Sequence, residues 1–401
     1  MAQDIKWGSI VPLIGGMTIA NKNATGNDPS FLLSYDAFKS NDSHCVNYFK
    51  DTPYQIIDST TNELENFDED LFSNVDFVST VCPCAGLSML NSSRKEGGRA
   101  RGSDAVQNEW MYKTAGFVLE KIQPKVFWGE NAPGLYTSLG EGVVKNLISI
   151  GEKFGYSFSL VKTNTFLHGI PQHRVRSFYF FWKDSDAPVL NYVEKEPVSL
   201  EEYLSQVPSD ASLMDRFFGL GKLENNGWVK FLESKNFTMK DAIESEHHSL
   251  LQIVLSNKWT EDAIEWADKN NEPSLSKTLN HVKDKRSQDK GWWDGTPLVF
   301  KDATNAIIAK NIAIVHPNGK RGISLREAMW LMGLPHDFEM VENGHWNHIC
   351  QNVPVSTARD WTNEVISFVR GEKKDFGGKF LKQSNISKRI DFSGVKSKIL
   401  F

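Results

Sequence analysis

Three short stretches carry the residue types that can do chemistry. In Val78-Ser79-Thr80-Val81-Cys82-Pro83-Cys84-Ala85-Gly86-Leu87-Ser88, an apolar strand-like run stops at a Pro-Cys pair and a small-residue loop follows. This places the Cys84 thiol where open α/β sheets put their ligand sites, at the carboxyl end of a strand. Pro83 fixes φ and removes a backbone donor, so the thiol sits in a restrained turn. Such a thiol is a nucleophile where neighbouring groups lower its pKa, and otherwise only a small buried hydrophobe. One strand further on, Val126-Phe127-Trp128 runs into Gly129-Glu130-Asn131-Ala132-Pro133-Gly134. In a βαβ unit both loops leave the same sheet edge, so a thiol and a carboxyl group converge. The third stretch, Gly169-Ile170-Pro171-Gln172-His173-Arg174-Val175-Arg176, precedes the strand Ser177-Phe178-Tyr179-Phe180-Phe181-Trp182. In extended chain Arg174 and Arg176 share one face, which suits a planar polar or anionic ligand. As solvated edge residues the same two arginines would do nothing.

The elements that must position these groups read as alternating strands and helices. Ser9-Ile10-Val11-Pro12-Leu13-Ile14-Gly15-Gly16 is a strand ending in a glycine pair, where backbone can approach a ligand closely. Phe31-Leu32-Leu33-Ser34-Tyr35-Asp36 is a second strand ending in a carboxylate, the position from which an acid takes ribose hydroxyls. Ile56-Ile57-Asp58 has the same form. Met111, Ala115, Val118 and Ile122 recur at helical spacing, after Ser103 or Asp104 as cap and before Pro124 as stop. Val144, Leu147, Ile148 and Phe154 mark another helix. From Lys183 to about Lys320 the βα rhythm is lost and Trp228, Trp259, Trp266, Trp292 and Trp293 are scattered through polar sequence, which predicts a second domain. Ser324 and Glu327 form a capping box, and a last helix runs through Trp361 and Val365.

Composition bounds the answer. The chain has 401 residues, 40% apolar and 24% charged, enough for two or three domains with a sizeable core. No run of 18 or more apolar residues occurs, so no membrane span is expected, and no signal pattern opens the chain. Four Cys, at 45, 82, 84 and 350, are too scattered for a disulfide framework and fit a reducing cytoplasm. Cys82-Pro83-Cys84 lacks the two-residue spacer of a thiol redox motif. His336, His345, His348 and Cys350 match no standard zinc spacing, and no metal is expected. A net charge of −5 argues against a generally basic surface. It leaves two local candidates for phosphate contact: Arg94 to Arg101, and the tail 371–401 with eight Lys/Arg against three Asp/Glu. For the tail, a solvated or flexible segment is the simpler expectation.

Taken together, these motifs resemble the DNA cytosine-C5 methyltransferase family. That family's Pro-Cys-x-Gly-(Phe/Leu)-Ser loop matches Pro83 to Ser88, and its Glu-Asn-Val turn matches Glu130-Asn131-Ala132. Its Gln-x-Arg-x-Arg segment matches Gln172 to Arg176. Its late Arg-x-(Leu/Ile)-(Ser/Thr)-x-Arg-Glu helix start matches Arg321 to Glu327, and Gly333 to Phe338 and Asn352-Val353-Pro354 match two further motifs. The family's first motif is eroded: Ser9, Val11 and Leu13 stand where Asp, Phe and Gly are usual, so the aromatic that stacks on adenine is missing. Asp36 replaces a Glu, and Gln351 replaces a Gly.

The resemblance implies an α/β, Rossmann-like S-adenosylmethionine-dependent fold with a smaller target-recognition domain. The expected layout is a catalytic domain over 1–182, target recognition over 183–315, a return to the catalytic domain over 316–370 and a basic tail over 371–401. It implies Cys84, Glu130, Arg174 and Arg176 as catalytic residues. It implies Val11, Leu13, Gly15, Gly16, Asp36, Asp58, Pro83, Asn352 and Val353 around S-adenosylmethionine. The expected substrate is double-stranded DNA, with the Trp and Lys/Arg of the later region as candidate groove contacts. A monomer in the cytoplasm of a bacterial or phage-infected cell is expected. RNA cytosine methylation and a catalytically weak DNA-binding relative are the alternatives.

Overall fold

Short strands buried on both faces form the frame. The computed structural model describes residues 4–83, 85–88, 102–292, 294–308, 313–341 and 346–391. Cys84, the basic segment 94–101, Trp293, His345 and the last ten residues lie outside the described residues. In chain order the first elements are β1 (Trp7–Ile10), α1 (Gly16–Thr25), β2 (Phe31–Tyr35), α2 (Ser43–Tyr48), β3 (Tyr54–Ile57) and β4 (Phe77–Thr80). There follow α3 (Glu109–Phe117), β5 (Val126–Asn131), α4 (Glu141–Lys153), β6 (Tyr156–Asn164) and β7 (Val175–Lys183). Every residue of β1, β2, β4 and β5 is buried, as in a sheet covered by helices on both faces.

Among the described residues the sheet has nine strands, the last two being β8 (Phe380–Ser384) and β9 (Arg389–Asp391). Their order is β9-β8-β6-β7-β5-β4-β1-β2-β3. Strands β1 to β5 are mutually parallel, and β7 runs against both β5 and β6. The chain leaves β1 toward β2 on one side, while β4 lies on the other. A doubly wound sheet opens a ligand crevice at such a reversal, beyond the carboxyl ends of its strands. The helix expected after Ser103 or Asp104 begins later, at Glu109, because 102–104 and 106–108 form separate tight turns.

The described residues up to Pro197 and from Met332 on cluster as one compact unit, and those between Val198 and Leu331 as a second. Residues 316–331, read above with the C-terminal return, cluster with the second unit. In the first unit α11 (Trp346–Gln351) and α12 (Val355–Val369) follow the return, and α12 packs along α1. The described part of the tail, up to residue 391, is not a loose appendage, because β8 pairs in parallel with β6. Much of its positive charge is also neutralised locally: Lys373 pairs with Glu364, Lys379 with Asp186 at 3.3 Å and Lys388 with Glu194 at 2.5 Å.

The second unit is helical: Gly227–Ser234, Met239–Glu244, Leu250–Ser256, Thr260–Lys269, Pro273–Ser287 and Leu325–Trp330. Its core gathers Phe231, Leu232, Leu250, Ile253, Val254, Leu275 and Leu279. Trp228 is buried in this core, and Trp259 and Trp266 pack edge-on against Phe231. These three tryptophans are therefore spent on folding rather than on groove contact. Trp292 differs, being exposed with the Arg286 guanidinium 5.8 Å from its ring. The capping box forms as expected, with Ser324 and Glu327 bonding each other's backbone. Arg321 clamps the Glu327 carboxylate through two bonds of 2.7 and 2.8 Å. Burial alone would raise that carboxyl, but Arg321, His316 and the Ser324 amide outweigh it and hold Glu327 at about 2.

A depressed carboxyl contributes stability above its unfolded pKa and loses it as pH falls through the folded one. The second unit is thus expected to weaken as pH falls from about 4.3 toward the folded value. Glu327→Gln should cost about 3 kcal/mol at pH 7 and flatten that acid limb, because it leaves Arg321 without its anion. Urea unfolding of the full chain at pH 7 and at pH 3–4.5 reads both effects, and an unchanged midpoint would contradict the assignment.

Candidate active site at the carboxyl edge of the sheet

The pairing of β5 with β7 fixes the acid. Phe127 lies opposite Phe181, Trp128 opposite Phe180 and Glu130 opposite Phe178. Stacked rings lock this register, with centroids 5.7 Å apart for Phe127–Phe181 and 5.5 Å for Trp128–Phe180. Gly129 is required in between, since a Cβ there would come within 2.5 Å of the Tyr179 ring opposite. A slip of one residue would turn Glu130 to the other face. In the observed register Arg176 is the diagonal neighbour of Glu130, and its Nε lies 2.8 Å from Glu130 Oε1. Glu130 is 4% exposed. Burial pushes its carboxyl above the usual range, despite the opposing pull of Arg176 and then Arg174. A carboxyl raised in this way is suited to carry a proton to a ligand.

The two arginines have different employment. Arg176 also donates to the Val175 carbonyl at 2.7 Å and remains partly exposed beside Glu130. Arg174 is buried, and its guanidinium donates to the Cys350 and Asn352 carbonyls at 2.9 and 3.1 Å. It ties the start of β7 to the end of α11 while adding positive charge near Glu130.

The cysteine loop leaves β4, the parallel neighbour of β5, with Thr80 opposite Gly129. The two loops pack against each other: a Cβ on Gly134 would meet the Leu87 carbonyl at 2.2 Å. Asn131 holds the second turn by accepting from the Ala132 amide at 2.9 Å. Cys82 is buried, and burial pushes its thiol up against the opposing pull of its Thr80 and Thr114 contacts at 3.5 and 3.6 Å. That environment suits a packing residue, not a thiolate. Pro83 is partly buried at the loop's entry.

On the cofactor side, the turn after β1 is unusual. Val11 and Leu13 both have φ of +51°, and Gly15 has φ of +105°. Left-handed backbone costs an L-residue about 1–2 kcal/mol, more for a β-branched one. Gly16 is demanded by packing, because a Cβ would come within 2.3 Å of both Asn352 Oδ1 and the Val353 carbonyl. Its amide donates to Asn352 Oδ1 at 2.9 Å. Asp36, exposed at the end of β2, and Asp58, beyond β3, line one open pocket of about 540 Å³ with Ile56, Thr61 and Leu64. Asp58 accepts from the Thr60 and Thr61 amides at 2.7 and 2.8 Å, whereas Asp36 bonds the Ala37 amide and keeps oxygen capacity for a ligand. Asn352 Nδ2 is buried without a hydrogen-bond partner among the described residues. An exposed acid for ribose hydroxyls and an orphaned amide beside a tight turn fit a nucleoside-bearing cofactor. No aromatic stands at Val11 to stack on its base. The side chain with no earlier signal is Asp42, which binds this turn.

Among the described residues no three His, Cys, Asp or Glu are placed to hold a metal ion. His348 instead bonds His44, Nδ1 to Nε2, at 2.8 Å. No described helix is long and apolar enough to cross a membrane. Removing the cation beside Glu130 tests the electrostatics directly. In Arg176→Met the Glu130 carboxyl should stay protonated to higher pH than in the unaltered protein, read by carboxyl carbon NMR titration. An identical titration would mean that Arg176 does not set its charge.

Comparison with known proteins agrees with this architecture. The family model for C-5 cytosine-specific DNA methylase matches residues 6–366. The Type II methyltransferase M.AgeI of Thalassovita gelatinovora is 35% identical over 106 residues, 26% of this chain and 23% of that protein. M.NgoPII of Neisseria gonorrhoeae is 30% identical over 118 residues, 29% of this chain and 32% of that protein. The matched segment thus spans a third or less of each of these relatives. Among solved structures, one described as a DNA modification methyltransferase encoded within an E. coli prophage superposes with a TM-score of 0.55 at 15% identity, covering 91% of this chain and 99% of that one. The methyltransferase EhMeth of Entamoeba histolytica gives 0.51 at 12% identity, covering 93% and 100%. These two likenesses establish the shared α/β fold. With the family model spanning nearly the whole chain, the protein belongs to the C-5 cytosine-specific DNA methylase family.

Proposed function

We propose that this protein transfers a methyl group from S-adenosylmethionine to C5 of cytosine in double-stranded DNA. The observation that carries this reading is the buried Glu130, paired with Arg176 of β7, on the strand next to the one that leads into the cysteine loop. Cytosine C5 is a poor nucleophile until a group adds at C6. Cys84, as thiolate, forms the bond to C6, and the displaced electron pair makes the ring enamine-like. Glu130 delivers its proton to N3, so that charge does not accumulate on the base. Arg176 steadies the resulting Glu130 carboxylate and holds the polar edge of the ring, with Arg174 adding positive potential from behind. Bound S-adenosylmethionine supplies an electrophilic methyl group to C5. A base takes the C5 proton, the C5–H electron pair re-forms the C5–C6 double bond and expels the Cys84 thiolate, and Glu130 recovers its proton from N3.

The cofactor is assigned to the turn Val11–Gly16, with Asp36 and Asp58 at its nucleoside end and Pro83, Asn352 and Val353 around it. A stacked base cannot reach Cys84, so the target is flipped out at a cost of a few kcal/mol. The helical unit 198–331 supplies the contacts that select the site, with exposed Trp292 and Arg286 as candidates. The relatives' names, Type II methyltransferases, support a role in DNA modification, and the protein is read as a cytoplasmic monomer.

The test is nucleoside mass spectrometry of duplex DNA and tRNA incubated with protein and S-adenosylmethionine. 5-Methylcytosine should form in DNA only. Cys84→Ala should abolish it while leaving DNA affinity within about threefold, and Glu130→Gln should slow it by about 10²–10⁴. DNA methylated at the normal rate by Cys84→Ala would overturn the mechanism.

A further inference from the structure

Of the buried acids that the mechanism above leaves unused, Asp42 is the one bonded to the turn after β1. Asp42 is fully buried, at the residue preceding α2, where an Asp ordinarily caps its own helix. Its side chain makes no capping bond. It reaches instead to the turn after β1, where Oδ1 accepts the Leu13 amide at 2.8 Å. Its other oxygen takes the Ser34 hydroxyl of β2. Burial pushes the Asp42 carboxyl up to about 7, with the Ser34 and Leu13 bonds opposing. Such a placement works against an ionised carboxyl, which argues for a positional duty.

That duty is visible in the turn. Val11 and Leu13 share the left-handed conformation, but they are held differently. Val11 continues the sheet ladder, donating to the Leu33 carbonyl at 2.8 Å and accepting from Val81. For the Leu13 amide, the Asp42 carboxylate is the acceptor. Strained backbone persists where its surroundings over-determine it.

We infer that Asp42 is a positioning residue for the cofactor turn: by accepting the Leu13 amide it holds a leucine in a conformation natural to glycine, and so keeps the turn in its S-adenosylmethionine-binding shape. The inference rests on the cofactor reading above. Asp42 touches no reacting atom, so its loss should weaken cofactor binding and leave the rate at saturating cofactor largely intact. A glycine at position 13 adopts the turn without an anchor, so it should remove the need for Asp42.

The experiment is calorimetric titration of the full chain with S-adenosylmethionine, without DNA, alongside hydrogen exchange at the Leu13 amide. Asp42→Ala should weaken binding at least tenfold and deprotect that amide, with kcat within about threefold. The double variant Asp42→Ala/Leu13→Gly should recover most of the lost affinity, which a merely structural role would not produce. Asp42→Asn keeps an acceptor for Leu13 and should bind within about threefold of the unaltered chain; it decides the matter if Asp42→Ala does not fold. A tenfold loss in Asp42→Asn, normal affinity in Asp42→Ala, or a double variant as weak as the single one would overturn the inference. Failure of the unaltered chain to bind would overturn the cofactor reading, and this inference with it.

Discussion

The site depends on a carboxyl group kept out of water next to a guanidinium. Burial alone would leave Glu130 neutral, and an exposed ion pair would leave it a permanent anion. The observed geometry lies between, with the acid buried, one cation in contact and a second acting at longer range. This balance is set by strand register, and the register is set by aromatic rings. The chemistry of Glu130 is thus inherited from Phe127, Trp128, Phe180 and Phe181, none of which takes part in it. Gly129 and Gly134 serve the same end by letting Tyr179 and Leu87 approach.

Much of this was legible in the sequence because it rests on local signals. Apolar runs gave the strands, and Glu130 was placed correctly at the end of one of them. Strand periodicity put Arg174 and Arg176 on one face, and both charges bear on Glu130, but periodicity could not tell that the first arginine would be committed to the Cys350 and Asn352 carbonyls. That partnership joins residues about 180 positions apart and has no local trace. The tail misled for a related reason: its charge suggested solvent, while its pairing with β6 is a long-range event. Tryptophans in polar sequence likewise looked available until Phe231 was seen to collect two of them. Asp42 read as one polar residue in a turn-rich segment, and nothing near it announced Leu13.

The erosion of the first motif also becomes intelligible. Ser9, where the family usually has an acid, bonds Ser79 at 2.7 Å and Thr18 at 3.0 Å. Asn21 extends the chain from Ser79 to Thr362 of α12. Neutral groups satisfy one another across β1, β4, α1 and α12, so no buried charge is needed there. A second chain runs from buried Thr163 through His168 to Asp360 of α12, where exposed Lys195 also pairs. Burial lowers the His168 pKa, which keeps the ring neutral.

In the proposed reaction Cys84 and Glu130 act on one pyrimidine ring. A duplex carrying 5-fluorocytosine at the target tests it most directly, because fluorine cannot leave C5 as a proton does and the adduct persists. Peptide mass spectrometry after incubation with S-adenosylmethionine should find the methylated fluorocytosine on Cys84. An adduct on Cys82, or none while ordinary DNA is methylated, would contradict the account.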